Sequence, residues 1–86
     1  MPEPGRLDDI RRVAASVPGV RRVEQQRARK TGLTYHVDLH VEVDPAISVR
    51  DSHEIAAAVR RRIRDDLPWV ADVLVHIEPA EDQKHT

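Results

Sequence analysis

Tyr35-His36-Val37-Asp38-Leu39-His40-Val41-Glu42-Val43 alternates ligand-type and aliphatic residues without a break. A strand's two-residue period puts His36, Asp38, His40 and Glu42 on one face and Val37, Leu39, Val41 and Val43 on the other. Val73-Leu74-Val75-His76-Ile77-Glu78-Pro79 repeats the device, with His76 and Glu78 in one phase and Val73, Val75 and Ile77 in the opposite one. Two such strands side by side gather imidazoles and carboxylates on one solvated sheet surface, the donor set of a divalent-metal site. A solvated face that carries histidines without holding an ion satisfies the same pattern.

Working outward, Leu7, Ile10, Val13, Ala14 and Val17 recur at helical spacing, with Asp8 and Asp9 expected in the first turn, where the helix dipole favours acids. Pro18-Gly19 stops that helix. Val20 to about Arg29 reads as an arginine-rich edge strand with weak alternation, and Lys30-Thr31-Gly32-Leu33-Thr34 as its hairpin loop. After the strong strand, Asp44-Pro45 breaks the ladder and Ser48 stands as an N-cap, with Asp51 three residues on. A second helix follows from about Val49 to Leu67, with Ser52, Ile55, Ala56, Val59, Ile63 and Leu67 as its buried stripe and Arg60, Arg61, Arg62 and Arg64 largely outside it. The last strand covers about Ala71 to Glu78 and ends at Pro79. Residues 7–79 form the expected domain; 1–6 and 80–86 are expected to be flexible termini.

The order helix, strand, strand, helix, strand predicts an α+β fold: a three-stranded mixed sheet with both helices on its aliphatic face, a ferredoxin-like fold lacking its first strand. A strand-helix-strand crossover commonly joins neighbours, so the third strand is expected parallel to and beside the second, carrying His76 and Glu78 toward His36, Asp38 and His40. Same-face residues on one strand lie roughly 6.5–7 Å apart and neighbouring strands about 4.8 Å, so pairs across strands share an ion more easily, and two partial sites are more natural than one closed cage. Neutral imidazole with carboxylate suits Zn²⁺ first, with Fe²⁺, Mn²⁺, Co²⁺ or Ni²⁺ also compatible.

Composition narrows the classes. The 86 residues suit one small domain that hides about 60% of its unfolded-chain surface, so help from a partner chain or a metal is expected. Cysteine is absent, which removes disulfides, thiolate nucleophiles and thiolate zinc sites together. Fourteen Lys and Arg against fifteen Asp and Glu give a net charge of −1, and Tyr35 and Trp69 are the only aromatics, so no nucleic-acid partner is expected. The rival reading is a basic patch of Arg21, Arg22, Arg27, Arg29 and Lys30 with the Arg60 to Arg64 cluster contacting phosphates. No apolar run approaches the ~20 residues of a membrane span and the N-terminus lacks a signal-peptide core, so a cytoplasmic domain is expected. Ser52 and His53 are adjacent on a helix and point about 100° apart, so no nucleophile with its base stands out and no enzyme is expected. In helix phase alone His53 is a boundary histidine beside Arg60 and Arg64.

Five short motifs then occur in order: Val17-Pro18-Gly19-Val20, Arg27-Ala28-Arg29 with Gly32, Val37 to Pro45, Ser52-His53-Glu54-Ile55-Ala56, and Val75-His76-Ile77-Glu78-Pro79. Together they resemble the cytoplasmic C-terminal domain of cation diffusion facilitator transporters. The resemblance implies an αββαβ, metallochaperone-like domain that forms a homodimer, binds Zn²⁺ or a similar ion at the dimer interface and regulates transport at the inner face of a membrane. It implies metal ligands at His40, His76 and His53, with Glu78 where some members carry Asp and Asp38 matching an acid that binds metal in others. His36 lies where the family varies, and Glu24 where some members carry histidine. Those transporters carry membrane helices ahead of this domain. The chain is therefore expected to be an excised or free-standing regulatory module, attached to or associated with a transporter. A plain dimerisation domain without a ligand is the remaining alternative.

Overall fold

The computed structural model describes residues 4–81, with side chains from Leu7 onward apart from Gln25 and Gln26. His85 and most of the polar tail lie outside the described residues. The elements are α1 (Pro4–Ala15), β1 (Arg22–Thr31), β2 (Thr34–Val43), α2 (Val49–Asp66) and β3 (Val70–Pro79). The sheet order is β1-β2-β3, with β1 antiparallel and β3 parallel to the central β2. The expected α+β arrangement and the adjacency of the second and third strands both hold.

The alternation in β2 explains the layering. Val37, Leu39, Val41 and Val43 are all essentially solvent-free, while the three residues between them keep partial access to water. Ile10, Ala14 and Val17 from the α1 end and Val59, Ile63 and Leu67 from the α2 end close over that aliphatic face with Val23, Val70 and Val73. The core is almost wholly branched aliphatic. Tyr35 and Trp69 meet edge to face at 5.8 Å, and the Tyr35 amide donates to the Trp69 carbonyl, which joins the start of β2 to the start of β3.

Three local expectations are corrected. The first helix begins at Pro4 rather than near Leu7, because proline lacks only an N–H that the first helical turn leaves unused. Asp8 and Asp9 therefore fall beyond the first turn and pair with Arg11 and Arg12 at i,i+3. A bulge between Gln25 and Arg27 reverses the phase of β1, so Val23 and Ala28 share the core side while Glu24, Arg27 and Arg29 share the other. That shift breaks the alternation beyond Val23, and the strand continues to Thr31. Pro79 is the last residue of β3 rather than the residue after it. Ala80 donates to the Val43 carbonyl at 2.7 Å, so the neighbouring Pro79 nitrogen faces away from β2, where no donor is needed.

The β1-β2 connection is tighter than a five-residue loop. Thr31 pairs with Thr34, leaving Gly32 and Leu33 at the turn, with Gly32 at φ +64. At the start of α2 the Ser48 hydroxyl accepts from the Asp51 amide at 3.0 Å, as expected of the cap. Replacing Ser48 with alanine is expected to cost about 1 kcal/mol, read as a lowered urea midpoint at unchanged slope.

Candidate metal centre

Among the described residues no layer covers the second face of the sheet. Register pairing across β1, β2 and β3 sorts it into four rows: Arg22, Glu42, Glu78; Glu24, His40, His76; Arg27, Asp38, Leu74; and Arg29, His36, Asp72. Leu74, 54% exposed, is the one large apolar side chain in this array. The remainder is ionic or imidazole.

The second row forms the centre. His40 and His76 are direct register partners on parallel strands, and their rings lie 4.9 Å apart, tilted by 49°. Imidazole nitrogens bind Zn²⁺ at about 2.0–2.1 Å, so two rings at this separation can turn one nitrogen each onto a common ion. His40 Nδ1 lies 2.5 Å from Glu78 Oε2, and both side chains are partly screened from solvent. In a neutral ring that contact needs the proton on Nδ1, which leaves the Nε2 lone pair free. Glu78 can thus orient His40 with one oxygen while the other stays available to an ion. Asp38 sits one same-face step from His40, roughly 7 Å along the strand.

His36 belongs to the other end of the face. Four residues along a strand is about 13 Å, too far for His36 and His40 to share one ion. Its neighbour is Asp72, with Nδ1 to Oδ2 at 3.9 Å. Asp72 escaped the sequence reading, although its parity with His76 and Glu78 was visible once the strand is extended back to Val70. His53 is not brought to this face at all. It is exposed on α2, beside a groove shared with Ser52, Ala56, Arg60, Val75 and Ile77 on the opposite layer.

Among the described residues no three His, Asp or Glu converge closely enough to enclose an ion. His40, His76 and Glu78 make an open half-site that water or another chain must complete. Among the described residues the serine hydroxyls are engaged locally: Ser16 donates to Val13 O, Ser52 to Val49 O, and Ser48 caps α2. The arginines that could have formed one phosphate-binding patch are split, with Arg22, Arg27 and Arg29 in the sheet face and Arg60 to Arg64 on α2.

The sequence family described as "Cation efflux protein, cytoplasmic domain" matches residues 2–80. Metal tolerance protein C1 of Arabidopsis thaliana is 39% identical over 74 residues, covering 86% of this chain and 16% of that protein. Magnetosome protein MamB of Paramagnetospirillum magneticum is 35% identical over 68 residues, covering 79% of this chain and 23% of that protein. The chain thus spans less than a quarter of the curated relatives it matches. Among solved structures, a cadmium form of a MamM CTD variant superposes with a TM-score of 0.86 at 31% identity, covering 91% of this chain and 98% of that one. A nickel form of another variant gives 0.87 at 30% identity, covering 92% and 100%. No helix among the described residues is long and apolar enough to cross a membrane. On the strength of the family match over nearly its whole length, the chain belongs to the cytoplasmic domains of cation efflux proteins, a family of transporter parts rather than enzymes.

Proposed function

We propose that this domain is a homodimeric sensor of cytoplasmic divalent cations, Zn²⁺ first among them, that controls efflux by the transporter to which it is attached or bound. The observation that carries the reading is the in-register His40–His76 pair on the uncovered sheet face, with Glu78 holding His40. His40, His76 and Glu78 supply the primary donors. Asp38, and His36 with Asp72, extend the ligand field along the face, and His53 enters from the second copy. The cadmium and nickel forms of the MamM CTD relatives support divalent-ion binding on this fold. Fe²⁺, Mn²⁺, Co²⁺ and Ni²⁺ suit the same mixed nitrogen and oxygen donors.

An open half-site gives the ion a mechanical role. Carboxylates on this face repel those of an approaching copy, and a bound dication removes that repulsion while drawing ligands from both chains. The dimer then favours a closed arrangement. Coupling of this kind typically amounts to about 1–3 kcal/mol, enough to bias transport. Small-angle scattering with and without Zn²⁺ tests it: a dimer whose radius of gyration falls on saturation supports the sensor. Identical profiles at a zinc concentration that titration shows to be saturating would leave a dimerisation domain without a switch. Because imidazole ligates only when neutral, zinc affinity is expected to fall as the solution is acidified, measured by competition with a chromophoric chelator.

A further inference from the structure

We infer that the outer face of α2 docks on the same face of a second copy, the two helices running antiparallel. Arg50, Glu54, Ala57, Ala58, Arg61 and Asp65 lie within about 55° of the direction opposite the buried line of Ala56, Val59 and Ile63. The four charged members are exposed and the two alanines between them are half-buried. Along the helix their charges read plus, minus, neutral, neutral, plus, minus. Turned end for end, the series reads minus, plus, neutral, neutral, minus, plus, so every charged position meets the opposite sign on an antiparallel copy. Its centre falls between Ala57 and Ala58, which is also the midpoint of α2 from Val49 to Asp66. The register that pairs the charges therefore overlaps the two helices over their full length. Glu54 then faces the partner's Arg61 and Arg50 the partner's Asp65, each pair occurring twice by symmetry, and the alanines let the helices approach closely.

Within one chain these charges stay apart. Arg50 and Glu54, like Arg61 and Asp65, are four residues apart with the arginine first, the weaker order for a pair along one helix. Neither closes to an ion pair among the described residues, unlike Asp8 with Arg11 and Asp9 with Arg12 on α1, where the acid comes first. Two arginines balance two acids in the stripe, and balanced, alternating charge selects a complementary pattern over a uniformly anionic partner. A second copy of this face supplies that pattern. Exposed pairs each contribute little, so the contact is weak and salt-sensitive, and it gains occupancy where many copies share one membrane. Cytoplasmic domains of cation efflux proteins have such a membrane beside them. His53 lies about 90° round the helix from the centre of the stripe, and the His40–His76 pair lies on the opposite layer. The contact is thus separate from the ion-bridged dimer and joins such dimers back to back.

The test is sedimentation equilibrium of the 86-residue chain in a metal chelator at low salt, over rising protein concentration. The weight-average mass is expected to climb with concentration, and the climb to shrink in about 0.5 M salt. Glu54→Arg or Arg61→Glu alone puts like charges face to face and is expected to weaken the association at least about tenfold. An equimolar mixture of the two variants restores opposite charges at both places and is expected to regain it, as is the Glu54→Arg, Arg61→Glu double variant. Chains that had merely lost their fold would not recover on mixing. Lys30→Glu makes the same change of charge as Arg61→Glu at the far end of the β1-β2 hairpin and is expected to have little effect. A mass that stays constant with concentration, a climb that neither single variant diminishes, or a mixture that associates no better than its components would overturn the proposal. So would equal loss in Lys30→Glu.

Discussion

Replacing His40 and His76 together with alanine is expected to abolish saturable Zn²⁺ binding in a calorimetric titration. The two rings are the only pair of imidazoles in direct ring contact among the described residues, 4.9 Å apart and in register on neighbouring strands. Removing even an orienting partner of a metal ligand typically costs 10–100-fold in affinity, so removing two ligands should exceed about a hundredfold. Glu78→Gln tests its two roles together, orienting His40 and offering an oxygen to the ion. It keeps the side chain's shape but removes the charge that faces His40 Nδ1 at 2.5 Å, and a loss within about 10–100-fold is expected. His53→Ala should weaken binding less, and only under conditions where the dimer forms. Unchanged zinc affinity in the His40→Ala, His76→Ala double variant would remove the metal reading altogether.

Leu39→Ala is expected to destabilise the domain by about 3 kcal/mol. Leu39 is completely buried in the central strand, where both helices close over the sheet. A chain of this length has a total stability of roughly 4–13 kcal/mol, so one such cavity removes a large share of it. The melting temperature should fall by about 12–24 °C. Zinc at about a hundred times its dissociation constant adds roughly 2.7 kcal/mol to any native state that binds it, so the metal should restore most of the lost stability. A fall of less than about 1 kcal/mol would mean that the aliphatic face is less tightly packed than the complete burial of Val37, Leu39 and Val41 requires.

Both expectations draw on features that periodicity alone makes readable. In β2 the hydrophobic and ligand-type residues alternate strictly, because one face meets helices and the other meets water, and the burial pattern repeats that alternation residue by residue. Ser48 was readable as a cap because its side chain has one local donor to satisfy, the Asp51 amide. The pairing of His40 with His76 needed one further rule, that a strand-helix-strand crossover joins neighbours. Three features resisted. The bulge in β1 depends on how an extra residue is absorbed against β2, and neither local propensity nor parity reports it. The separation of His36 from His40 is a matter of distance along one strand, which a shared face conceals. The position of His53 follows from which side of the sheet α2 packs against; family resemblance alone gave it a place near the ligands, and within one chain it lies on the other layer.

Diffraction at the zinc absorption edge from crystals grown with Zn²⁺ addresses the central claim most directly. The account predicts an anomalous peak on the uncovered sheet face, about 2.0–2.1 Å from a nitrogen of His40 and of His76 in the same chain, with further donors from Glu78, water or the second copy. Ordered zinc found only on other surfaces, with both imidazoles free, would contradict it.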